Sequence, residues 1–156
     1  MSMTSMDISF TDEEAAALAI IAEMIIPASD DYDLPGANDN RIFAGILNTG
    51  ARQYEPVAAA LAALDAICND LGDQPVADLS VAARADAVTA FRHRHVEAAG
   101  VLATITTQCY YRDDRVMRAL DMETRPPFPL GFDVDEGDWS LLEPVRSSGP
   151  IYRETS

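Results

Sequence analysis

Hydrophobic positions along most of the chain recur three and four residues apart, the spacing of a helix face turned toward a core. Ala15, Leu18, Ile21, Ala22 and Ile25 form the first such stripe. Thr11 before it is a natural N-cap, Glu14 supplies the reciprocal cap, and Asp12 and Glu13 suit the positive end of the helix dipole. Pro27 ends this helix, because proline drives the residue before it out of the helical region. The stretch 28–40, with Asp30, Asp31, Asp33, Pro35, Gly36 and Asp39, predicts a loop.

The same spacing predicts a second helix from Asp39 or Asn40 to about Gly50, with Ile42, Phe43, Ile46 and Leu47 inward. A third starts at Pro56, a residue suited to a first turn, and runs through Val57, Leu61, Leu64, Ile67, Cys68 and Leu71 to Gly72. Ser80 caps a fourth through Val81, Ala85, Val88 and Phe91. Val96 to Tyr111 forms a fifth, and Asp114 to Leu120 a short last one. Strand-like alternation is missing apart from a β-branched patch at Thr104 to Thr107. The expected fold class is all-α: a single domain over 1–156, with a small helical bundle over about 8–122 and a long extended arm over about 123–156.

The arm is where the periodic pattern stops. Beyond Met122 lie Pro126, Pro127, Pro129, Pro144 and Pro150, five of the nine prolines, together with the only tryptophan, Trp139. Proline forbids a regular helix and favours extended backbone. Phe128, Trp139 and Tyr152 nevertheless set this segment apart from a solvated tail, which is poor in aromatics. It is expected to be ordered against something, either its own bundle or another protein.

Composition narrows the partners. The 156 residues carry 26 acids and 11 bases, a formal net charge of −15, and every base is arginine. Free-standing binding to nucleic acid or an anionic membrane needs clustered positive charge, so neither is expected. No apolar run reaches the roughly 18 residues of a membrane span. The charge is uneven: residues 1–83 hold 14 acids and two arginines, residues 84–156 hold 12 acids and nine. The front of the chain reads as the solvated side and the arginine-bearing back as the side that meets a partner.

Catalytic and metal chemistry finds little to stand on. His93 and His95, two residues apart on a helix, point in different directions and read as a solvated or partner-facing surface. The aspartates at 30–39 and at 133–138 miss the glycine and glutamate positions of a calcium loop, and helix caps and turns account for them. Cys68 and Cys109 lie on apolar stretches outside any zinc spacing and read as buried free thiols, with a Cys68–Cys109 bridge as the alternative. No GxSxG, P-loop or GxGxxG is present. The chain by itself is expected to be non-catalytic, with no catalytic, cofactor-binding or metal residues. The alternative is a stand-alone acidic helical protein that binds a ligand or a metal.

What stands out is Tyr110-Tyr111-Arg112-Asp113-Asp114-Arg115-Val116, followed by Arg125-Pro126-Pro127-Phe128-Pro129-Leu130-Gly131, by the segment around Trp139 and Arg146, and by Pro150-Ile151-Tyr152-Arg153. Tryptophan, tyrosine and arginine are the residues that anchor protein interfaces. Tyr110, Tyr111, Arg115, Arg125, Pro126, Pro127, Phe128, Pro129, Trp139, Arg146, Pro150, Ile151, Tyr152 and Arg153 are therefore the candidate partner-binding residues.

These stretches, with Ala22-Glu-Met-Ile-Ile-Pro-Ala28 and Pro35-Gly36-Ala37, resemble the gluconate 2-dehydrogenase subunit 3 family. The resemblance implies a helical accessory subunit bound to a larger subunit of the glucose–methanol–choline oxidoreductase type. That partner would hold FAD and take hydride from a sugar or other alcohol, and the small subunit would help it fold and stay soluble. Tyr110, Tyr111, Pro127, Phe128, Trp139, Pro150 and Tyr152 would then be interface positions. Exported family members often carry a twin-arginine signal. Residues 1–10 show none, so a cytoplasmic complex is expected, with the periplasm open if an exported partner carries the chain.

Overall fold

A computed structural model describes residues 9–72, 74–126, 128–131 and 136–149. Seven helices occur among them, with no strand beyond one isolated bridge between Ser29 and Leu34. The chain divides into two compact units, Met1–Thr124 and Arg125–Ser156.

In the first unit, α1 (Asp12–Ile25) starts on the expected capping box: Glu14 N–H donates to Thr11 Oγ1 at 3.2 Å, and Thr11 N–H donates to Glu14 Oε2 at 2.8 Å. The second oxygen of the same glutamate accepts from the Tyr54 hydroxyl at 3.0 Å, which ties the start of α1 to the start of α3 (Tyr54–Gly72). Phe10 packs on the Tyr54 ring (centroids 5.3 Å apart) and against Gly50 of α2 (Asn40–Ala51). A Cβ at Gly50 would sit 3.0 Å from the Phe10 ring, closer than ordinary packing, so the ring would have to shift to admit it.

Helix α3 (Tyr54–Gly72) begins two residues before Pro56, which falls inside the first turn, where its missing N–H costs nothing. Its buried residues Val57, Ala60, Leu61, Leu64, Ile67 and Cys68 follow the expected stripe. Helix α4 (Val81–Arg94) is capped by Ser80 and buries only Ala87 and Phe91. It gives way at His95 to α5 (Val96–Tyr110), which absorbs the β-branched patch at Thr104 to Thr107 into a helix. Helix α5 is central and packs on α1, α2, α3 and α4. Leu18, Ile46, Leu64, Phe91, Leu102 and Ile105 are fully buried in the core. Each contributes about 1.5–3 kcal/mol relative to exposure. A final helix of this unit, α6 (Asp114–Ala119), buries Val116. Cys68 and Cys109 are both buried free thiols, and burial pushes the Cys68 pKa up.

The second unit departs from the expectation of wholly extended backbone. A 3-10 turn, Trp139–Leu142, leads directly into α7 (Glu143–Ser147). Pro144 stands in the first turn of α7, the one stretch of a helix that accepts proline without losing a hydrogen bond. Asp138 accepts from the Ser140 N–H at 3.0 Å and caps the turn.

Candidate functional site

The two sequence blocks that stand out, the 28–40 loop and the 110–116 segment, meet in space. The loop is shaped first by itself. Ser29 and Leu34 exchange backbone hydrogen bonds at 2.9 and 3.0 Å around a 3-10 turn, Asp30–Tyr32, with Asp33 left-handed at φ 50°. Gly36 then passes so near Ala28 that a Cβ would lie 3.0 Å from its backbone nitrogen and 2.6 Å from Asn38 Oδ1. Ala37 is fully buried and its N–H donates to Ile26 O at 2.9 Å. Tyr110, at the end of α5, donates its hydroxyl to Pro35 O at 3.0 Å. Burial raises the Tyr110 pKa.

Two helix caps then lock together. Asp39 caps α2, accepting from the Arg41 and Ile42 N–H groups, and Asp113 caps α6, accepting from the Arg115 N–H at 2.8 Å. Each cap is followed two residues later by an arginine, and each arginine reaches the other helix's cap. Arg115 donates through Nη1 and Nη2 to both Asp39 oxygens, while its Nε and Nη2 hold Asp113 at 2.9 and 3.0 Å. Arg41 Nε lies 3.5 Å from Asp113 Oδ2. The Asp113 side chain is 3% exposed, so its charge depends on these partners. Hydrogen bonds from Arg115 lower the pKa of both aspartates, and Asp113, with Asp39, raises that of Arg115 in return.

Beside this network lies a recess of about 180 Å³ bordered by Arg41, Gly45, Thr49, Cys109, Arg112 and Asp113. A larger groove of about 650 Å³ runs between α1, α4 and α5, with Ile21, Met24, Val88, Val96, Gly100 and Ala103 on its walls. Val96 and Met24 are exposed there. Among the described residues no group of three His, Cys, Asp or Glu is arranged to hold a metal ion. No helix of the described residues is long and apolar enough to cross a membrane.

The candidate partner-binding residues fall into distinct settings. Tyr110 is buried within the first unit, with its hydroxyl held by the loop. Tyr111 beside it is half exposed and meets Tyr110 edge-on at 5.4 Å. Arg115 spends its fork on the two caps. In the second unit Arg125 donates to Gly131 O, Pro126 and Pro129 are exposed, and Arg146 pairs with Glu143 at 3.2 Å. Phe128 and Trp139 are exposed. Pro127, Pro150, Ile151, Tyr152 and Arg153 lie outside the described residues.

Asp39, Arg41 and Asp113 are absent from the candidate residues drawn from the sequence. A signal was present: Asp39-Asn-Arg41-Ile42 and Asp113-Asp-Arg115-Val116 repeat one pattern of cap, acid or amide, arginine and buried β-branched residue.

The family model for gluconate 2-dehydrogenase subunit 3 matches residues 12–123, which include both interlocked blocks. Comparison with curated proteins and with solved structures finds no match. The chain belongs to the gluconate 2-dehydrogenase subunit 3 family.

Proposed function

We propose that this member of the gluconate 2-dehydrogenase subunit 3 family is a non-catalytic small subunit that binds, stabilises and helps fold the FAD-containing large subunit of an alcohol- or sugar-oxidising dehydrogenase. The observation that carries the reading is the family match itself, which spans the whole helical body and makes this chain one subunit of a larger complex. The absence of recognised nucleophile and nucleotide motifs from the sequence is consistent with a supporting role.

The C-terminal unit supplies the contact chemistry in this reading. Phe128, Leu130, Trp139 and Leu141 are all exposed within 128–141, an unusual density of large apolar side chains. Such a segment can cover an apolar patch on the large subunit that would otherwise aggregate. Obligate interfaces of this kind often exceed about 2,000 Å². Tyr111, Arg115, Arg125, Pro126, Pro129 and Arg146 join Phe128 and Trp139 in the proposed contact set. Pro127, Pro150, Ile151, Tyr152 and Arg153 extend it beyond the described residues. Prolines restrict the free chain beforehand and so reduce the entropy lost on binding.

Co-expression with a large subunit of an FAD-dependent alcohol or sugar dehydrogenase from the same genome tests the proposal. A co-purifying yellow complex is expected. Purification as a well-behaved monomer that never retains a flavoprotein would overturn it.

A further inference from the structure

We propose that the recess at the start of α2 receives an acidic side chain of the partner subunit, clasped between Arg41 and Arg112. This deepens the accessory-subunit reading and rests on it. At about 180 Å³ the hollow has room for one carboxylate side chain and a few waters, each water occupying about 30 Å³ in the liquid. Gly45 keeps it open. A Cβ there would meet only Cys109 Cβ, at an ordinary 3.9 Å, so packing does not demand the glycine.

The charges around the recess favour an anion. Its one acid, Asp113, is already held on both oxygens by Arg115 and is buried. Arg41 approaches Asp113 with Nε at 3.5 Å, its side chain is 65% exposed, and its guanidinium makes no hydrogen bond among the described residues. Arg112 is exposed, and its side chain makes no ion pair or hydrogen bond among the described residues. Thr49 accepts from the Cys109 thiol at 3.4 Å, so its own hydroxyl proton is left to donate. Two forked guanidinium groups around a small polar hollow match the planar, two-oxygen geometry of a carboxylate. On a chain of net charge −15, such a site also selects which surface of a partner can approach.

The test uses the full chain in its co-purified complex. Apparent Kd is measured by mass photometry over a dilution series at several NaCl concentrations from about 50 to 500 mM. The double variant Arg41→Gln/Arg112→Gln is expected to bind at least tenfold more weakly at low salt, on the order seen when interfacial charge pairs are broken. Its salt dependence should also be shallower. Gly45→Leu, which fills the hollow with a good helix former and keeps both arginines, should weaken binding as well. Arg52→Gln removes one positive charge about 16 Å from Arg41 along α2, at 1.5 Å per residue, and should leave affinity and salt slope near wild-type values. If the Arg41→Gln/Arg112→Gln and Gly45→Leu variants, shown folded by circular dichroism, bind as tightly as wild type with an unchanged salt slope, the recess proposal is overturned while the accessory-subunit reading stands. If the wild-type chain forms no complex at any salt, both are overturned.

Discussion

In the helical body, Leu18, Leu64, Phe91 and Ile105 are buried against one another, whereas in the C-terminal unit Phe128, Leu130, Trp139 and Leu141 are all exposed. The two regions hold the same class of side chain and differ in its spacing. In the body, apolar residues fall on one face of each helix, so neighbouring helices can cover them. In 125–149 they share no period, and none of the described residues there is buried. Periodic apolar residues mark a chain that builds its own core. Dense apolar residues without a period leave an exposed surface, and that contrast supports the proposal that the C-terminal unit meets a partner.

Truncation after Thr124 is the largest perturbation of this contrast. The body is expected to keep its helical circular dichroism and cooperative melt while losing retention of the large subunit. A product that fails to fold would place the C-terminal unit in the body's own core and remove the contrast.

Within the body, the interlocked caps come next. Arg115→Leu leaves Asp113 buried with only Arg41 nearby, at an expected cost of about 2–3 kcal/mol in urea unfolding. A loss below about 0.5 kcal/mol would show that the cap exchange is incidental. The same pair sets the acid response. Because Arg115 lowers the pKa of Asp39 and Asp113 in the folded state, their contribution is present above the unfolded value near 3.8 and is lost as pH falls below it. Arg115→Leu should therefore flatten the decline in stability below about pH 4.

Two glycines of one helix separate packing from propensity. Gly50→Ala drives a methyl to within 3.0 Å of the Phe10 ring and should cost about 1–3 kcal/mol, as overpacking does. Gly45→Ala meets no such contact and should stabilise by about 0.5–1 kcal/mol. The smallest effect concerns Thr106, whose hydroxyl is fully buried with no hydrogen-bond partner among the described residues. Thr106→Val removes that unpaired group without changing shape and should raise stability by up to about 1 kcal/mol. Thermal melts of the three variants order them, and a stabilising Gly50→Ala would contradict the packing account.

Much of this fold was legible locally. Thr11 with Glu14, Ser80, Pro27 and Gly72 bound helices where their chemistry requires, and the stripes in α1 and α3 name the core. What escaped depended on distance or position. The bond from Arg115 to Asp39 joins residues 76 apart, and its one local trace is the cap-and-arginine pattern that the two stretches share. The burial of Tyr110 escaped because composition cannot tell a buried hydroxyl with a partner from an exposed one. Pro144 read as a helix breaker, although α7 begins around it, since only its place in the first turn decides which effect wins.

The central claim is that this chain binds a flavoprotein subunit through its C-terminal unit. Size-exclusion chromatography of the full-length chain and of residues 1–124, each co-expressed with the large subunit and monitored at flavin absorbance, tests it most directly. The account predicts a flavin-bearing heteromer with the full chain and none with the truncated one. Equal retention of the flavoprotein by both, or by neither, would contradict it.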